Sequence, residues 1–215
     1  MTHTLHRLGT PESLHDDYVV LAMSGKGVNE TGSHVPLRRF MEIALELNPV
    51  NAGESRTGNI LTRSIDEVMA GIEDISTIHA VYTDPASVAT LLRRVSEEQL
   101  GISVVVSGLF DRVCSTAGEA GVRQHTVEYS LGVWGQVDRL PNTDVLQIVT
   151  MCGHNMVTAE SIERAVRDIR QGRATPLDAA RALAGKCVCG IFNPVRAARL
   201  LKNMADGSAP AARPM

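Results

Sequence analysis

Tyr18-Val19-Val20-Leu21-Ala22-Met23 is a short, unbroken apolar run. Its length and polar flanks fit a strand covered on both faces. The run stops at Ser24-Gly25-Lys26-Gly27-Val28-Asn29-Glu30-Thr31-Gly32, a glycine-bearing connection. A helix capped by Ser33 or His34 follows, with Leu37, Phe40, Met41, Ala44, Leu45 and Leu47 on its apolar face. Residues 48–59 read as a polar connection. Ser64-Ile-Asp-Glu67 is a capping box that opens a helix through Val68, Met69 and Ile72. Residues 77–83 read as a strand. Asp84-Pro85 caps another helix, with Val88, Leu91, Leu92 and Val95 inside, and residues 102–107 form the next buried strand.

This alternation predicts an α/β fold, or a ferredoxin-like α+β layer: a sheet with flanking helices and a C-terminal three-helix, cysteine-bearing segment. Residues 125–134 alternate and residues 145–150 are continuously apolar, so the two together predict a β-hairpin. The expected organisation is a polar arm over residues 1–16 and an α/β core over 17–150. A helical cysteine segment over 151–205 packs on that core, and a disordered Pro/Ala/Gly-rich tail covers 206–215.

The cysteine segment carries the chemistry. It holds Met151-Cys152-Gly153-His154 and Cys187-Val188-Cys189-Gly190, two matched pieces. In extended chain, residues two apart face one side, so each piece can present two donors together. Between them Thr158 and Thr175-Pro176 cap two helices that end at Gln171-Gly172 and at Gly185. An antiparallel helix pair returns the chain to its start, where the two pieces can meet. A third helix begins at Asn193-Pro194, carrying Val195, Ala198 and Leu201 inward. The nearby helix starts favour thiolates and bound negative charge.

Three readings of this arrangement stand side by side. Cys152, Cys187 and Cys189 can hold a 4Fe-4S iron–sulfur cluster with one iron left open to substrate. With His154 they complete a tetrahedral Cys3His zinc site. Without metal they are buried or redox-active thiols. Cys-x-Cys matches neither the common zinc-finger spacing nor the Cys-x-x-Cys of thioredoxin-like sites. The leading expectation is an enzyme of lyase or hydratase type, whose open iron acts as a Lewis acid on a small anionic metabolite. His154 is its candidate catalytic group, and Lys26, Arg56 and Arg112 are its candidate substrate-binding cations. The alternatives are a zinc-stapled interaction or assembly module, and a metal-free thiol redox protein. Cys114 reads as a packed thiol or a fourth ligand, His79 as a core histidine, and Trp134 as a packing anchor or a pocket wall.

Composition bounds the rest. The chain has 215 residues, 44% hydrophobic but only 3% aromatic, so its core is aliphatic. The net charge of −3 and the absence of a basic block argue against nucleic acid as a partner. No apolar run is long enough to span a membrane. Four cysteines at this length are not a disulfide scaffold, and a reducing cytoplasmic location is the expectation. The expected partners are a small anionic substrate and, as an option, further copies of the chain.

Overall fold

The computed structural model describes residues 4–207. The apolar run at Tyr18–Met23 is β1, and it sits inside a five-stranded antiparallel sheet ordered β3-β2-β4-β1-β5. The other strands are β2 (Asn51–Glu54), β3 (Gly58–Asn59), β4 (Ile78–Tyr82) and β5 (Ser103–Ser107). β1 pairs with β4 on one side, Leu21 opposite His79, and with β5 on the other, Leu21 opposite Val105. The short helix α1 (Pro11–Leu14) precedes the sheet, and helices α2 (His34–Glu46) and α4 (Pro85–Glu97) follow β1 and β4 respectively. Together with the strand order β2-β4-β1-β5, this is the ferredoxin-like split β-α-β connectivity. An additional hairpin strand and α3 (Ile65–Ala70) lie between β2 and β4.

The side chains of β1 alternate between two cores. Tyr18, Val20 and Ala22 pack with α2, α3, α4 and α5 (Phe110–Glu119). Leu37, Phe40 and Met41 of α2 and Val88, Leu91 and Leu92 of α4 supply most of this layer. Local signals fix its helices. Ser64 and Glu67 close the expected capping box. The Asp84 carboxylate accepts from Ser87 N–H at 2.7 Å, with Pro85 in the first turn.

Val19, Leu21 and Val81 face the other way. They pack against α6 (Thr143–Val149), α7 (Ala159–Arg170), α8 (Pro176–Ala184) and α9 (Pro194–Ala205), together with Cys152, Cys187 and Cys189. The result is three layers, helices on both faces of one sheet, which is why β1 carries no polar residue. The C-terminal helices start at the expected caps Thr158, Thr175 and Asn193.

Three expectations fail. Residues 145–149 belong to α6, with Thr150 as its C-cap, and not to a strand: Asn142 caps the helix by accepting from Val145 N–H at 2.9 Å. A short apolar run does not separate buried helix from buried strand, and here the cap decides. Residues 125–134 form no strand and lie exposed, so the predicted hairpin is absent. Within residues 48–59, expected as a loop, lie β2 and β3. Of the expected disordered tail, residues 208–215 lie outside the described residues. Among the described residues no helix is long and apolar enough to cross a membrane.

Candidate metal–thiolate centre

The two cysteine pieces do meet, beneath β2. Cys152 follows α6 in a tight turn, with Asn155 N–H donating to Cys152 C=O at 3.1 Å. Cys187 and Cys189 lie in the turn between α8 and α9, closed by Gly190 N–H donating to Cys187 C=O at 3.1 Å. The Sγ atoms of Cys187 and Cys189 are 3.8 Å apart, and His154 Nδ1 is 3.8 Å from Cys189 Sγ. Cys152 shares a thiol hydrogen bond with Cys187. All three cysteines are buried, whereas His154 is exposed.

The proton distribution follows from these contacts. The Cys187 thiol donates to Cys152 and so pushes it down to about 5, against burial and with help from the backbone N–H groups of Met156, His154 and Val157. Cys187 likewise pushes Cys189 down to about 6, against burial and with help from Ile191 N–H and the nearby His154. Cys187 itself is raised, because it holds the proton shared with both neighbours inside the core. Cys152 and Cys189 are thus favoured over Cys187 as thiolates. Among the described residues, no three or more His, Cys, Asp or Glu side chains stand ready-converged around a single ion position.

Buried polar residues hold the two pieces in place. Asn59 Nδ2 donates to Cys187 C=O at 2.9 Å, and Asn51 Nδ2 to Phe192 C=O at 3.0 Å, tying the Cys187–Phe192 turn to β2 and β3. At the crossing, a Cβ on Gly190 would stand 2.8 Å from Gly53 N, and one on Gly53 would stand 3.0 Å from Cys189 O. His79, opposite Gly53 in β4, lies on this same face of the sheet.

Arg7 bridges both pieces. Its Nη2 donates to Ile191 C=O and, at 3.3 Å, to Met151 C=O, while its Nη1 meets Asp17 at 2.6 Å. Asp17 also accepts from Arg196 at 2.9 Å and from Asn193 at 3.0 Å. Burial raises the Asp17 carboxyl, but the Arg7 and Arg196 charges and these hydrogen bonds hold it below the usual carboxylate range. Burial lowers Arg196 to about 10, so it stays charged at neutral pH. Two cations and one anion thus leave a net positive charge behind the thiolates.

The candidate substrate cations do not gather there. In an antiparallel sheet, adjacent strands end at opposite edges. Lys26, exposed after β1, and Arg112, after β5, therefore lie at opposite ends. Arg112 Nε donates to Tyr18 Oη at 3.0 Å, on the sheet face away from the cysteines. Arg56 donates to Ser76 at 3.0 Å and lies 3.5 Å from the buried Glu54 carboxylate, which fixes the β2–β3 turn. Cys114 is in α5, accepting from Gln124 at 3.4 Å across the sheet from the trio, so the fold does not bring it in as a fourth sulfur. Trp134 is a surface side chain, neither core anchor nor pocket wall.

Sequence reasoning missed Arg7, Asp17, Asn51, Asn59 and Arg196. Arg7 and Asp17 lie in or beside the expected polar arm, Asn51 and Asn59 in the expected loop and Arg196 in the third helix, and only the tertiary fold buries them. One signal was available: Asn51-Ala-Gly53 and Gly58-Asn59 pair small residues with amides, as a close backbone crossing requires. No protein family, curated protein or solved structure matches the chain.

Proposed function

We propose that Cys152, Cys187, Cys189 and His154 hold one tetrahedral metal ion, zinc in the first instance, and that this ion staples the turn after α6 to the turn between α8 and α9. The separation of 3.8 Å between Cys187 and Cys189 sulfurs carries the reading. Two thiolates about 2.3 Å from one zinc stand about 3.8 Å apart in a tetrahedron. The thiols of a 4Fe-4S cluster bind different irons and must stand wider. Borderline-soft zinc suits three sulfurs and an imidazole. The two lowered thiols fit as ligands, and loading releases the proton kept by Cys187. Loading requires the donors to converge further than they do here.

The iron–sulfur reading keeps one supporting observation. Backbone N–H groups aimed at Cys152 and Cys189 are the kind that stabilise cluster thiolates, and the exposed His154 side would leave an iron open to a small anion. Metal and sulfide analysis with an absorption spectrum, on full chain purified without oxygen, separates the two. The staple predicts a colourless protein with about one zinc per chain. It further predicts loss of that zinc in Cys187→Ala and Cys189→Ala, and retention in Cys114→Ala. Iron with sulfide and visible colour would replace the staple by the cluster enzyme. Full metal retention in both cysteine variants would sink both readings.

A further inference from the structure

The segment after α5 has a strand pattern without a strand's partner. Val127, Tyr129, Leu131 and Val133 alternate with polar residues or glycine, and Trp134 adjoins the last. Leu131 is 83% exposed, Trp134 81% and Tyr129 61%. The Tyr129 ring packs on Phe110 at a centroid distance of 5.2 Å, and Ser130 Oγ is 3.5 Å from His6 Nδ1. These contacts fix the segment beside the Ser107 end of β5, where Thr4 Oγ1 meets Ser107 Oγ at 2.7 Å. Phe110, Val127, Val133 and Leu140 are exposed as well, more large apolar side chains than scattered single ones on an ordinary surface.

β5 supplies the complementary half. It is the end strand of the sheet and, among the described residues, pairs only with β1. It reads Ser-Val-Val-Val-Ser. It carries none of the charges, prolines or bulges by which proteins protect a free edge. The segment's own contacts run to Phe110 and His6, not to the β5 backbone.

We propose that residues 125–134 of one copy add as a strand to the β5 edge of a second copy, and the reverse, making a two-fold symmetric dimer. Every copy carries both halves of the contact, so reciprocal exchange closes the assembly and covers both β5 edges. In a strand, Val127, Tyr129, Leu131 and Val133 fall on one side and continue the Val104 and Val106 row of β5, while Glu128 and Ser130 fall on the other. The inference does not depend on the thiolate centre.

Sedimentation of the full chain tests it, with Trp134, the only tryptophan, as a second reporter. The expected result is a dimer that dissociates on dilution while Trp134 emission shifts to the red. Leu131→Asp, an exposed position, should keep the far-ultraviolet circular dichroism and weaken association by roughly thirtyfold or more. A wild type monomeric at every concentration would overturn the proposal. So would a dimer indifferent to Leu131→Asp, or a monomer whose residues 125–134 have amides protected from exchange by its own sheet.

Discussion

Arg7 concentrates the energetics of the thiolate centre in one side chain. It touches no sulfur, yet it fixes the carbonyls on either side of the donors, at Met151 and Ile191. Arg7→Met should leave all four donors in place and weaken zinc retention by about ten- to a hundredfold in a chelator competition, as loss of outer-shell partners does. Arg112→Met, across the sheet, should leave retention unchanged. Asp17 answers for both buried arginines. Its folded carboxyl titrates below its unfolded value, so the stability it contributes is present above about pH 3.9 and is lost as pH falls through the lower folded value. Asp17→Asn should cost about 3–5 kcal/mol at neutral pH, because two buried cations lose their counter-charge. In denaturant titrations the variant should also lose the part of the wild type's acid dependence that Asp17 supplies.

At the scale of elements, the crossing of the Cys187–Phe192 turn over β2 tolerates the least change. Gly190 combines φ of +79° with strand backbone where a Cβ would go. Gly190→Ala should therefore destabilise by more than about 2 kcal/mol, whereas Gly207→Ala, with φ of +73° and open space, should cost about 1 kcal/mol. Thermal melts of the two variants check this contrast. The same elements show what sequence conveys. Caps at Ser64, Asp84, Thr158, Thr175 and Asn193 are local chemistry, so those helix starts were legible. β1 was legible because burial on both faces removes every polar residue from it. Residues 125–134 misled because alternation records a preference for strand but not the presence of a neighbour to pair with. Residues 145–150 misled because burial alone makes helix and strand look alike. The convergence of Cys152 with Cys187 and Cys189 could be argued from the helical hairpin between them. The separation of Lys26 from Arg112 could not, because it follows from strand direction, which no residue pattern records.

For the molecule as a whole, the ion would lie within one of the two cores that the sheet keeps apart. The α2–α5 core closes on its own apolar faces, while the α6–α9 core includes the thiols themselves. Removing metal with a chelator should therefore raise amide exchange in α7, α8, α9 and the β2–β3 hairpin well before it does so in α2 and α4. A uniform rise across both layers would show that the centre does not serve as a staple.

The Arg7 bridge also bears on how the protein is made. The centre draws on residue 7, on Asp17, on the hairpin at residues 51–59, on Cys152 and on the run from Cys187 to Arg196. A chain emerging from the ribosome has its first anchor at the beginning but lacks the last until residue 196 is out. Capture of an ion would therefore come late in synthesis, once the run through Arg196 is out. Chains terminated before Cys187 would keep a single donor pair and stay unloaded, so metal occupancy would record that translation had passed Cys189.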